Sequence, residues 1–245
     1  MKNILSVFCL TAGLAGAATT AQAQTSFSIG PRIGGNLSNV SFTSDTPTDV
    51  KPQQIFGVQV GATAEFRFGT NLAFQPSLIY TQKGFKTEST DSFTSSGGTS
   101  TSTSKQTLKV GYLEVPLNFV YTTGGDHGFQ LFAGPYLALG VGGKATYESS
   151  YTIPGGITHQ DSGTSAVKFA NQEPSNSNND DAYLRPLDAG FNGGLGYRQG
   201  PFQVQASYGL GLGNLVPTDS NGKDQGVKVR NRVIQLSANY FFGGK

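Results

Sequence analysis

The sequence predicts an all-β fold: an eight-stranded antiparallel up-and-down transmembrane β-barrel with short periplasmic turns and long extracellular loops. Three observations carry the prediction. Eight successive stretches alternate between apolar and small or polar residues. The connections between them alternate short and long. The amino-terminal residues read as an export signal. Successive side chains of a strand point to opposite faces, and a lipid-spanning barrel strand needs about ten residues, apolar outward and small or polar inward.

The export signal comes first. Lys2 supplies a positive start, an apolar stretch runs from Ile4 to about Ala18, and Ala21-Gln22-Ala23 is a small-x-small cleavage site. Residues 1–23 therefore form a signal peptide cut between Ala23 and Gln24, and residues 24–245 form the barrel domain. The apolar stretch is too short, and too rich in Gly, Ala and Thr, to span about 30 Å of hydrocarbon as an anchor. The only cysteine, Cys9, leaves with the signal. The mature chain thus has no disulfide, thiolate metal site or cysteine nucleophile, even in an oxidising compartment.

The eight stretches follow in order. Phe27, Ile29 and Ile33 alternate with Ser28, Gly30, Arg32, Gly34 and Asn36. From Phe56 to Phe68 the apolar series opposes Gly57, Gln59, Gly61, Thr63, Glu65 and Arg67. Leu72, Phe74, Leu78 and Tyr80 oppose Ala73, Gln75, Ser77 and Thr81. Leu113 to Tyr121 opposes Tyr112, Glu114, Asn118 and Val120. Phe129 to Val141 opposes Gln130, Gly134, Ala138, Gly140 and Gly142. Leu187 to Tyr197 opposes Asp188, Gly190, Asn192, Gly194 and Gly196. Phe202 to Leu212 opposes Gln203, Gln205, Ser207 and three glycines. Ile234, Leu236, Ala238, Tyr240 and Phe242 close the series against Gln235, Ser237 and Asn239. A soluble barrel would also alternate, but it would carry charge on its water-facing side. Here the polar side is mostly Gly, Ser, Gln and Asn, which suits a narrow lumen.

Gly69-Thr70-Asn71, Thr123 to Gly128 and Arg198 to Pro201 are the tight turns. Leu37 to Gln54, Thr87 to Ser104, Ser149 to Ala182 and Asn214 to Val229 are the long loops. Their Ser/Thr/Asn/Gly tracts, Ser95 to Ser104 and Ser175 to Asp181, predict mobile tips. Ala166-Val167-Lys168-Phe169 either extends a strand or meets a partner. Pro31, Pro76, Pro116, Pro135 and Pro186 each remove a ladder donor, so they are expected at bulges or membrane boundaries.

Gly111-Tyr112-Leu113-Glu114-Val115-Pro116-Leu117, Phe132-Ala133-Gly134-Pro135-Tyr136-Leu137 and Asn231 to Leu236 running into Tyr240-Phe241-Phe242 resemble the PorT-like outer-membrane barrel proteins, also called porin family proteins. These are architectural relatives of the OmpX and OmpA membrane domains. The resemblance spans essentially the whole mature chain and implies a Gram-negative outer-membrane location. It also implies an accessory role in protein secretion. Tyr240 and Phe242 resemble the terminal signal read by the barrel-assembly machinery during insertion, although Gly243-Gly244-Lys245 follow them here.

No catalytic constellation is present. His127 falls in a periplasmic turn and His159 in an outside loop, so the two cannot share a site. No Ser or Thr nucleophile has a base nearby, and the glycine runs precede no helix, which excludes a phosphate loop. The reading therefore assigns no enzyme activity, no cofactor and no metal. The formal charge of +2 falls to +1 when Lys2 leaves, too little for a nucleic-acid face. The expected partners are membrane lipid, the assembly machinery and an unidentified extracellular ligand.

Arg32, Glu65, Arg67, Glu114 and Asp188 all take the inward parity. An eight-stranded barrel is just wide enough for side chains to fill, so these charges predict a salt-bridge network that plugs the lumen. The alternative is a polar path for small ions or solutes. The leading expectation is a structural or surface-interaction barrel that works through its loops, and the runner-up is a narrow passive channel.

Overall fold

The computed structural model describes residues 26–45, 51–96, 98–175 and 181–243. The predicted signal peptide, with Ala23 and Gln24, lies outside them, as do most of the Ser175–Asp181 tract and the last two residues. The strands are β1 (Ser26–Ser44), β2 (Ile55–Phe68), β3 (Leu72–Ser95), β4 (Gly98–Thr122), β5 (His127–Thr152) and β6 (Thr158–Phe169). They continue as β7 (Ala182–Leu184), β8 (Leu187–Gln199), β9 (Phe202–Gly211), β10 (Val227–Tyr240) and β11 (Phe242–Gly243).

Eight of these form a ring in chain order. Antiparallel ladders join β1 to β2, β2 to β3, β3 to β4, β4 to β5, β5 to β8, β8 to β9 and β9 to β10. β10 returns to β1, from Arg32–Asn239 to Ser44–Val227, and closes the barrel. Closure leaves no edge within the ring. Burial is inverted relative to a water-soluble core. Phe56, Phe129, Leu131, Leu195 and Leu236 are all at least 60% exposed, whereas Gln75, Gln203, Gln205, Glu65 and Glu114 are sealed inside. Period-two alternation with this sense covers a bilayer-facing belt and fills a polar lumen.

The two rims of the belt differ. At the tight-turn end, Phe27, Phe66, Phe74 and Phe119 run ring to ring across β1 to β4 at 5.2, 6.4 and 5.1 Å. Phe129–Tyr197 and Phe202–Tyr240–Phe242 continue the row, with spacings of 5.4, 4.7 and 4.8 Å. This is an aromatic girdle. The tight turns below it hold glycines at positive φ, Gly69 at 71°, Gly125 at 68° and Gly200 at 58°, a region that only glycine enters without steric cost.

The long-loop end differs most from expectation. β3, β4 and β5 have 24, 25 and 26 residues, against about ten needed to cross the bilayer. They continue past the ring as a sheet, to which β6 adds a fourth strand through Lys144–Ala166 to Thr152–Thr158. Most of the Thr87–Ser104 tract, expected as a long loop with a mobile tip, is therefore a regular hairpin from Glu88–Lys105 to Ser95–Gly98. Hydroxyl pairs brace it, Thr90–Thr103, Ser92–Thr101 and Thr94–Thr99, at 3.2, 3.3 and 3.0 Å. Ala166–Phe169 is the end of β6. We refer to this projection of β3, β4, β5 and β6 as the blade.

The strand prolines are not at bulges. At Pro31 pairing lapses on the β10 side only, at Pro76 on the β2 side, at Pro116 on the β3 side and at Pro135 on the β4 side, and register is unchanged across each. A proline removes a donor but its φ still suits a strand, so the ladder loses a bond and not a residue. Pro186 lies between β7 and β8, and its carbonyl accepts from the Gly140 N–H at 2.7 Å. The register shift between β4 and β5 falls instead at Gly111/Tyr112.

Candidate functional site: a filled lumen beneath an extended blade

The inward parity of the strands gathers charge into two clusters. Toward the tight turns, Glu65 accepts from Ser28 Oγ at 3.2 Å and Arg67 Nε at 2.8 Å on one oxygen. Its other oxygen accepts from Gln75 Nε2 and Arg198 Nη1, each at 2.6 Å. Arg67 also reaches Asp126 at the turn, and the Arg198 guanidinium lies 5.0 Å over the Phe241 ring. Toward the blade, Lys83 Nζ sits 2.5 Å from Glu114 Oε2 and 3.4 Å from Asp188 Oδ2. Asp188 also accepts from Tyr136 Oη at 3.2 Å and Asn231 Nδ2 at 2.8 Å. The Lys83 ammonium faces the Tyr136 and Tyr112 rings at 4.6 and 5.3 Å. Glu65 and Asp188 thus each have several donors, which is what an ion needs when removed from water, whereas Glu114 is held by Lys83.

A chain of amides extends from the first cluster. Gln203 Nε2 donates to Gln75 and Gln130 at 3.2 and 2.7 Å, and Asn239 donates to Gln203 at 3.0 Å. Between the clusters the Gln59 and Gln205 amides have no hydrogen-bond partner among the described residues.

Of the five charges expected inside, Glu65 and Arg67 meet directly, while Glu114 and Asp188 meet through Lys83. Arg32 is buried and senses Glu114 electrostatically, but makes no ion pair within bonding distance among the described residues. Two members escaped the sequence reading, Lys83 and Arg198. Both take inward parity, on strands that run on past the expected ends at Thr81 and Tyr197. The inward face also carries large apolar groups, Ile79, Tyr112, Phe132 and Tyr136.

The blade end of the lumen is capped. Leu215 packs with Val40 and Val229, and Phe42, Phe85, Leu184 and Val216 lie against them. Backbone bonds hold the cap: Leu215 N–H to Val229 O at 2.9 Å and Arg185 N–H to Leu215 O at 2.8 Å. Nothing in the alternation of the ring strands signals it, because Leu184 comes from the three-residue β7 and Leu215 from an irregular segment.

The faces of the blade carry different chemistry. The face continuous with the lipid side has Lys86, Glu88, Lys105 and Glu148 along with the hydroxyl pairs. The face continuous with the lumen has Phe93, Tyr147 and Tyr151, which are 72, 43 and 46% exposed. Tyr147 lies over Gly163 of β6, where an added Cβ would meet its ring at 2.4 Å. At the foot of this face, above the cap, Phe85, Gln106, Leu108, Tyr147, Asp181 and Ala182 line a cleft of about 320 Å³. Lys168 holds Asp181 there at 2.7 Å. His159 is on β6 and His127 opens β5 at the opposite rim. Among the described residues no group of three or more His, Cys, Asp or Glu could hold a metal ion.

A family model described as "Outer membrane protein beta-barrel domain" matches residues 21–216. Similar solved structures include Ail, the attachment invasion locus protein of Yersinia pestis, in complex with the heparin analogue sucrose octasulfate. It is 16% identical over 88% of this chain and 99% of that one, with a TM-score of 0.36. Neisserial surface protein A is 14% identical over 88% and 97%, with a TM-score of 0.40. Likeness this distant adds nothing to what the strand register establishes. No curated protein matches the chain.

Proposed function

We propose, because this chain belongs to the outer membrane protein β-barrel domain family, that it is a closed outer-membrane anchor whose blade is a binding surface for an extracellular ligand. The observation that carries the reading is the continuation of β3, β4, β5 and β6 beyond a sealed lumen, with Phe93, Tyr147 and Tyr151 exposed on one face. Aromatic rings left bare among small polar residues are stiff, amphipathic contact groups, and rigid scaffolds commonly carry binding residues on their projections. A narrow channel is the weaker reading, since buried ion clusters and an apolar cap lie across the lumen. An accessory role in secretion has no residue to support it beyond the PorT-like resemblance. The reading gives the barrel no catalytic step. Export with cleavage between Ala23 and Gln24 belongs to the same proposal, and amino-terminal sequencing of the mature protein checks it.

The test compares adhesion of cells producing the wild type, the triple variant Phe93→Ser/Tyr147→Ser/Tyr151→Ser, and a variant with residues 89–104 replaced by Asn-Gly. The probe is an immobilised panel of glycans and matrix proteins. Heat-dependent gel mobility confirms that each barrel has closed. Adhesion should fall to the level of cells lacking the protein in both variants. Undiminished adhesion by both would sink the reading.

A further inference from the structure

The outward face of the barrel, where the blade leaves the lipid belt, holds a groove of about 580 Å³. Its upper wall is Lys109 of β4 and Lys144 of β5, which are directly opposed in register. Like charges facing each other across a ladder destabilise it. No ion pair is made by either lysine among the described residues. On this face the next carboxylates, Glu88 and Glu148, are two rows higher, level with Lys105. Below the lysines the row is Gln82, Gly111 and Gly142, so two glycines leave the floor open. Tyr80 closes the bottom, its hydroxyl 2.5 Å from where a Gly111 Cβ would stand.

Lys144 reaches this face because of the register shift. Tyr112 pairs with Gly140 but Gly111 pairs with Gly142, so Val141 is an extra residue. A bulge of this kind reverses strand parity. Below it the odd residues of β5 face outward, and above it the even ones do. An unbroken ladder would turn Lys144 inward.

Height fixes what the groove meets. Lys109 lies ten residues along β4 from Phe119 in the aromatic girdle, a rise of about 25 Å at a tilt near 40°. That equals the height of the apolar band of such barrels. Across the barrel, Arg230 and Arg232 of β10 take outward parity above Ile234. One rim is therefore aromatic and the other cationic.

We propose that the groove between Tyr80, Lys109 and Lys144 seats the phosphate of a phosphorylated lipid headgroup in the leaflet on the blade side. The two ammonium groups take the phosphate oxygens, the Tyr80 hydroxyl donates from below, and the acyl chains lie on the belt beneath. The bound anion offsets the repulsion between the lysines. This depends on the barrel standing in the membrane and not on what the blade binds.

The experiment measures lipid retention by the refolded full mature chain, in neutral detergent, by native mass spectrometry. The probes are lipid A, a bisphosphorylated acylated disaccharide, and the same lipid after phosphate removal. Wild type should retain the phosphorylated form at least about tenfold better, the scale of two charge-assisted contacts. Lys109→Gln/Lys144→Gln should lose that preference, whereas Lys223→Gln, in the β9–β10 connection, should keep it. Gly142→Val leaves both lysines in place and meets open space at its Cβ position. It should fill the groove and lose the preference too, so the result stands even if the double variant fails to fold. Equal retention of both lipids by wild type, or an unchanged preference in the folded variants, overturns the proposal. Displacement of lipid A by millimolar inorganic phosphate would assign the seat to a soluble anion and overturn the lipid assignment.

Discussion

Lys83 is the residue on which the blade-side cluster turns, since among the described residues it is the one that forms an ion pair with both Glu114 and Asp188. Removing one partner of a buried ion group strands the others, at a typical cost of roughly 3–5 kcal/mol. Lys83→Ala should therefore lower the urea midpoint of the refolded barrel by that equivalent, and Glu114→Ala should lower it less, because Asp188 remains. A loss below about 1 kcal/mol for Lys83→Ala would mean that the carboxylates are not held by it. At the opposite rim, the Arg67 hydrogen bond holds the Asp126 carboxyl below the usual carboxylate range. A depressed folded value means the contact stabilises above the ordinary carboxylate pKa and fades as pH falls through the lower one. The protection factors of the amides in residues 123–126, taken relative to the intrinsic exchange rate at each pH, should drop as pH falls from about 6 to 3 in the wild type, and show no such step in Asp126→Asn. Lys83 and Arg198 were legible by parity alone, had their strands been followed two residues and one residue further. Arg32 was legible as inward but not as unpaired, because pairing depends on which strands lie across the lumen.

At the scale of elements, the ring strands were readable and the blade was not, for one physical reason. Strands announce themselves by contrast between faces. In Thr87 to Ser104 both faces are mostly Ser and Thr, interrupted by Glu88, Asp91, Phe93 and two glycines, so no period stands out although the described strands are as regular as in the belt. The bulge was equally silent: Val141 and Gly142 look like a simple continuation of Leu137 and Leu139. It can be tested directly. Deleting Val141 removes the extra residue, so Gly142 should follow Gly140 opposite Gly111 and residue 144 should keep its outward face. A nitroxide placed at 144, in residues 24–245, which otherwise hold no cysteine, should collide with lipid-dissolved oxygen equally with and without Val141. A gain in collisions on deletion would mean that the ladder holds no extra residue there. The prolines teach a complementary lesson. Pro76 pairs with Leu117, beside Pro116, which itself pairs with Tyr136, beside Pro135. Three neighbouring strands thus each give up bonds on one side along an oblique seam, and no strand is ended by it.

Taken as a whole, the molecule is polar within and apolar around its waist, with aromatic rings at one rim and cations at the other. Such a body has one way to sit in a bilayer, and the blade extends from the cationic side. With ion clusters and a cap across its bore, the mature chain should show no discrete current steps in planar bilayers. Reproducible steps altered by Glu114→Ala and Arg32→Ala would make it a channel. The ring also has a history written into its closing seam. Ser26–Ser44, near the start, pairs with Val227–Tyr240, which is made roughly 200 residues later. Pairings this remote along the chain form slowly. At a synthesis rate of about 5–20 residues per second, the first strand waits on the order of ten to forty seconds for its last neighbour. Throughout that interval it is a template on which any stray strand could grow, so delivery without a guardian that masks this half-finished edge should end in precipitate.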